Sequence, residues 1–198
     1  MKQLLRGIVW LALCLFMAEG RAQEANGTLV VDIKPFRSEV KLKPKIENQL
    51  KSGGIEWGIK DRQLVISLVN KRFVAFDINH LTRYGQSERL ELPPGKYQLT
   101  CIGLEMKTAF SPEKVLAKGG FFNENILSFD IEAGKTTTLS LDPVIAKDMT
   151  FLIEWYMPAL LTSVTTDSNT TEPKAINLRE DGSVAWPDYS GPLKFVAP

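Results

Sequence analysis

Apolar and polar residues alternate along most of this chain, and the alternation has the period of a β-strand. Leu29, Val31 and Ile33 share one face of the run Thr28 to Lys34, and Val40 and Leu42 alternate with Glu39, Lys41 and Lys43 between Ser38 and Lys43. Ile55, Trp57 and Ile59 alternate with Glu56, Gly58 and Lys60. Gln63 to Val69 and Arg72 to Ile78 are richer in Val, Ile and Phe, which predicts strands buried on both faces. Gly95 to Leu104 sets Tyr97, Leu99 and Cys101 opposite Thr100, Ile102 and Leu104. Ile126 to Ile131, Thr136 to Leu141 and Met149 to Tyr156 complete the series. Period two over short segments separated by turn residues predicts an all-β fold, an antiparallel β-sandwich with Trp57 and Trp155 in its core.

The turn chemistry agrees. Ser52-Gly53-Gly54, Pro93-Pro94-Gly95 and Ala133-Gly134-Lys135 stand between strand runs, where a positive or fixed φ is needed. Pro35 and Pro44 bracket the lysine-rich run Ser38 to Lys43, and proline and lysine blunt sheet edges, so this run is expected to be a solvated edge strand; the alternative is that Lys34, Arg37, Lys41, Lys43 and Lys45 face an anionic surface, against which Glu39 and Glu47 interrupt the charge. One short helix is expected after Ser111, with Pro112 in its first turn, Glu113 at the positive end of the dipole, and Lys118 before the Gly119-Gly120 stop.

The ends of the chain read differently from its middle. Lys2 and Arg6 precede an apolar run from Ile8 to Ala18, too short at 11 residues to cross a bilayer. A positive flank, a short apolar run and small residues predict a secretory signal peptide over residues 1–22, cleaved after Ala22, with Gly20 as the competing site. Residues 23–164 then form the sandwich. The polar stretch TTDSNTTEPK opens a segment, residues 165–198, that reads as a linker followed by a hairpin turning at Asp181-Gly182. A hairpin alone is marginal in water, so this tail is expected to gain its order from contacts elsewhere: either it folds back and buries Trp186 and Tyr189 on its own sandwich, or it is a semi-independent arm that binds a partner with those two residues as anchors. Phe121 and Phe122 are adjacent and cannot both face one core if extended, so one of them is expected to be exposed and available to a partner.

Composition narrows the chemistry. The 24 Lys and Arg against 23 Asp and Glu give no electrostatic footprint for nucleic acid. One His and two Cys leave no metal-ligand spacing, and removal of Cys14 with the signal peptide leaves Cys101 unpaired in an apolar strand. His80, in FDINHLTRYG, is the single imidazole and is expected to be a satisfied or exposed loop residue rather than a base, since no nucleophile motif accompanies it. No phosphate-loop, zinc-protease or calcium-loop motif is present, so no catalytic residue, cofactor or metal is assigned.

LELPPGKYQLTCIGLE, from Leu90 to Glu105, resembles the proline-glycine turn and tyrosine strand of transthyretin-like and collagen-adhesin B-type domains. FDIEAGKTTTLSL, from Phe129 to Leu141, resembles their closing strand pair. The resemblance covers Leu90 to Leu141 and implies a prealbumin-like or immunoglobulin-like sandwich of the kind carried by secreted and cell-envelope proteins. The strand residues from Phe129 to Tyr156 contain no Asn, so the isopeptide cross-link of the adhesin domains is not implied. The expected function is that of an exported, non-catalytic cell-envelope protein acting through contacts with another envelope protein. The alternative is a glycan-binding accessory module, or a small hydrolase built on scattered carboxylates, and its mark would be a concave face of exposed Trp or Tyr with Asp or Asn.

Overall fold

The computed structural model describes residues 25–67, 80–104, 119–150 and 153–190, and these build a sandwich of two mixed β-sheets. The expected signal peptide, the strand expected over Arg72 to Ile78, the helix expected after Ser111 and the side chain of Trp155 lie outside the described residues.

The first sheet contains β1 (Gly27–Ile33), β2 (Arg37–Ser38), β6 (Ser87–Leu92), β9 (Thr136–Thr150), β10 (Ile153–Thr165) and β11 (Lys174–Ala175). Its order is β11-β10-β9-β1-β6, and β2 also lies along β9. The second contains β3 (Gly54–Lys60), β4 (Gln63–Ser67), β5 (His80–Arg83), β7 (Gly95–Leu104), β8 (Gly120–Ile131) and β12 (Val184–Ala185), in the order β12-β8-β7-β4-β3-β5. Most pairs are antiparallel, as expected, but β1 and β2 run parallel to β9, and β4 runs parallel to β7. Strand alternation alone does not reveal the direction of a neighbour, because both ladders present side chains with period two.

The inner faces meet as the alternation requires. Leu29, Val31, Ile33, Leu139 and Leu141 from one sheet pack against Trp57, Leu64, Ile66, Leu99 and Phe129 from the other. Tyr97 is the seam's polar handle: its ring stacks on Phe129 at 5.9 Å, and its hydroxyl donates to the Pro93 carbonyl at 2.9 Å. Cys101 is fully buried in the same core, and burial pushes its thiol pKa up to about 12. A thiol held protonated and out of contact with water is a poor nucleophile. We expect no labelling of the native protein by a thiol reagent within the time that labels the urea-unfolded chain fully; fast native labelling would contradict the burial.

Two elements differ from the alternation pattern. Of the run Ser38 to Lys43 only Ser38 is strand, as the end of β2, and Pro44–Lys51 forms a helix, α1. Pro44 sits in the first turn, Glu47 pairs with Lys51 at 2.7 Å one turn on, and no residue of α1 is buried. Proline suits a helix start as well as it suits a sheet edge, so the same residue supports either reading. In the second case, His80–Arg83 is a strand rather than a loop, paired with β3 through Trp57 and His80.

Both long sides of the sandwich are closed by the chain crossing from one sheet to the other. On one side β5, the edge of the second sheet, turns at Tyr84 to Gln86 into β6, the edge of the first. On the other, β11 ends the first sheet and β12 ends the second. The hairpin expected at Asp181-Gly182 is therefore half right. The turn is there, with Gly182 at φ 88° and the Ser183 amide donating to the Glu180 carbonyl at 3.0 Å. Its flanking strands, however, pair with β10 and β8 and not with each other. A strand two residues long gains more from a sheet edge backed by a core than from an isolated partner.

Candidate functional site

The residues singled out in the sequence gather at one edge of the second sheet. Val184 and Ala185 pair with Phe122 and Phe121, and the single helical turn Trp186–Asp188 follows at once. That places Tyr189 on Phe122 at 3.7 Å with the rings 8° from parallel, and Trp186 5.2 Å from the same ring. Both phenylalanines are buried, which corrects the expectation that one is exposed. They do point to opposite faces, as adjacent strand residues must. Phe121 lies where Gly103 carries no side chain; a Cβ there would come 2.4 Å from the ring. Phe122 is covered by the tail's own aromatics. Trp186 and Tyr189 thus spend one face each inside the molecule and remain half-buried.

Polar contacts hold the tail as firmly as the rings do. Asn123 Nδ2 donates to the Ile176 and Leu178 carbonyls at 2.8 and 2.7 Å, and its Oδ1 accepts from the Ser183 hydroxyl at 2.5 Å. Asn177 accepts from the Leu160 amide at 2.6 Å and donates to the Pro158 carbonyl at 3.1 Å. Ile176 between them is fully buried in the main core. The tail docks on its own domain. Little in the sequence signals this, because Asn reads first as a turn residue and its use as a strap is set by what lies opposite.

His80 lies in a second polar cluster, on the side closed by β5 and β6. Its ring stacks on Trp57 at 4.1 Å, and its Nδ1 lies 2.7 Å from Glu88 Oε2. The buried Trp57 indole donates to the Thr82 hydroxyl at 3.0 Å, and that hydroxyl in turn donates to Glu88. Burial alone would raise the Glu88 carboxyl pKa. The hydrogen bonds from Thr82 and His80, with the attraction of His80, outweigh burial, and the carboxyl titrates below its ordinary range. The imidazole is engaged on its edge and on its face, which is how a structural histidine sits. A depressed carboxyl stabilises the fold above the ordinary glutamate range and stops doing so as pH falls through the folded-state value. We therefore expect Glu88→Gln to lower stability at pH 7, with the gap to the parent closing in urea titrations between pH 5 and pH 3; a gap that stays constant would contradict the linkage.

Among the described residues an apolar cleft of about 430 Å³ opens between the sheets at one end of the sandwich. Its walls come from Phe36, Leu50 of α1, Ile55, Leu81, Val144 and Leu160. Leu81, on β5, is 59% exposed at this cleft. Side-chain contacts fix the walls. Arg83 donates to the Ser52 carbonyl at 2.9 Å, tying the end of α1 to β5. Gly53 admits the Tyr84 ring, which a Cβ would meet at 2.9 Å, and Tyr84 lies tilted 6.1 Å from Phe36. Burial raises the Tyr84 hydroxyl pKa. Asn177 also lines the cleft, but both ends of its amide are engaged with β10 backbone. Glu56, half-buried, is the one carboxylate of the lining. Such a site takes an apolar group carrying a donor or a cation.

No protein-family model, no curated protein and no solved structure matches the chain. The transthyretin-like likeness rests on the residues from Leu90 to Leu141 alone. Among the described residues no three of His, Cys, Asp and Glu stand close enough to hold a metal ion, and no helix is long and apolar enough to cross a membrane.

Proposed function

We propose that this chain is an exported, non-catalytic β-sandwich protein of the cell envelope that acts by binding another protein, and that the cleft beside Leu81 receives an apolar side chain of that partner. The observation that carries the reading is Leu81, a large aliphatic residue 59% exposed against an apolar cleft in an otherwise well-buried sandwich. Two further features support it. The imidazole and the thiol, the groups most suited to nucleophilic chemistry, are held by Trp57 and Glu88 in one case and sealed in the core in the other. The glycan alternative calls for a concave face of exposed aromatics with Asp or Asn, whereas the tail aromatics pack on Phe122 and Asn177 is spent on backbone. The export part rests on Lys2, Arg6 and the run from Ile8 to Ala18.

The test is a photo-reactive amino acid placed at position 81 in the producing cell, with position 130, on the exposed side of β8, as control. A discrete adduct from 81 and none from 130 is expected, and Leu81→Asp should weaken the association at least about tenfold without moving the unfolding midpoint. Equal adducts from both positions, or none from 81, would overturn the reading.

A further inference from the structure

Residues 34–51 carry six basic groups against two acidic ones, in a chain whose overall formal charge is +1. Both acids are already committed. Glu39 lies 3.9 Å from Arg37 and accepts from the Lys147 amide at 2.9 Å, and Glu47 is paired with Lys51 at 2.7 Å. Arg37 is held by Asp142 at 2.7 Å, and Lys34 by Asp32 at 2.6 Å. Lys41, Lys43 and Lys45 are exposed and have no acidic partner among the described residues. They alternate with Leu42, Pro44 and Ile46 on the strip that leads into α1. Ile46 is 46% exposed, and α1 buries none of its side chains. Beside the strip lies a groove of about 440 Å³ whose lining mixes Phe36, Val40 and Leu42 with Lys41, Glu47 and Lys51.

We propose that this strip and the first turn of α1 form a docking surface for an anionic lipid bilayer. Charge complementarity selects the partner's sign, since three exposed lysines within five residues have no acidic partner among the described residues, while both acids of the segment are paired. The residue types select a headgroup layer over a folded acidic protein. Ammonium groups on flexible stems are point charges that follow a fluid array, while the rigid fork that would fix one carboxylate, Arg37, is taken by Asp142. Ile46 is about half exposed on a helix that buries none of its side chains, which suits insertion into the headgroup boundary with the lysine stems reaching back to the phosphates. The proposal does not rest on the cleft reading, although Phe36 borders both the cleft and the groove, and it would set which side of the sandwich faces the membrane.

The experiment uses the protein as the producing cell makes it, co-sedimented with phosphatidylcholine vesicles with and without phosphatidylglycerol. Binding to the anionic vesicles alone is expected, weakening as salt rises because the attraction is screened over about 10 Å at 0.1 M. Lys41→Gln, Lys43→Gln and Lys45→Gln together should weaken it on the order of 100-fold. Ile46→Asp should weaken it about tenfold. Neither change should move the urea midpoint, since none of the four side chains is buried. Leu81→Asp should leave vesicle binding as it was, which separates this result from the fate of the cleft reading. Equal binding to uncharged vesicles, or parental binding by the triple variant, overturns the proposal. Binding to soluble polyglutamate as tight as to vesicles overturns it in favour of an acidic polymer.

Discussion

A chain ending at Thr165 is expected to lose about 4–9 kcal/mol of stability, an amount comparable to the whole folding free energy of many domains. The estimate has three parts. Ile176 is fully buried in the main core, and burying such a side chain contributes about 1.5–3 kcal/mol. Removing Trp186 and Tyr189 uncovers Phe122, whose ring is otherwise sealed. Asn123 would keep a buried amide without the Ile176, Leu178 and Ser183 partners, at about 1–3 kcal/mol for the unmet groups. Urea titration of the truncated chain checks the sum, and Ile176→Asp and Asn123→Ala check two of its parts in the full-length protein. A truncated chain with the parental midpoint would show that the tail's contacts contribute nothing and would restore it to the role of a detachable partner arm.

Tyr97→Ala is expected to cost about 3–5 kcal/mol, and Tyr97→Phe only about 0.5–1.5 kcal/mol. The difference separates two jobs done by one side chain. The ring fills the seam against Phe129, and its loss leaves a cavity in a core that cannot collapse around it. The hydroxyl reaches back 2.9 Å to the Pro93 carbonyl and pins the turn that starts β7. Phenylalanine keeps the first and loses the second. Equal destabilisation by the two substitutions in a urea titration would mean that the hydrogen bond, and not the packing, carries the site.

The strand pattern was legible because burial on one face leaves a direct mark, as at Leu29, Val31 and Ile33 or at Ile55 and Trp57. The Tyr97 arrangement has a similarly local cause: a proline-glycine turn fixes the distance between the ring and the carbonyl within six residues. Where the outcome depended on a distant surface, the sequence was silent or misleading. Phe121 and Phe122 looked like one buried and one exposed residue because alternation counts faces, and it cannot count what covers the second face. The Asp61-Arg62 turn between β3 and β4 lacks glycine, and both residues adopt positive φ, 49° and 62°. The Arg62 side chain reaches the Pro94 carbonyl of the next turn, at 3.4 Å, a contact no local rule anticipates.

The candidate site divides in the same way. Leu81, Phe36, Leu50 and Val144 come from four separate elements, and each by itself is an unremarked apolar residue. The sequence alone determined that this is a two-layer β protein with an unpaired core thiol, because periodicity, turn residues and cysteine count are local properties that the solvent reads directly. Only the tertiary structure decided which strands run parallel, that the tail straps one sheet to the other, and that an apolar cleft opens beside Leu81. Those depend on which surfaces meet across long separations, and the free energy of such meetings belongs to the pair and is not written in either segment.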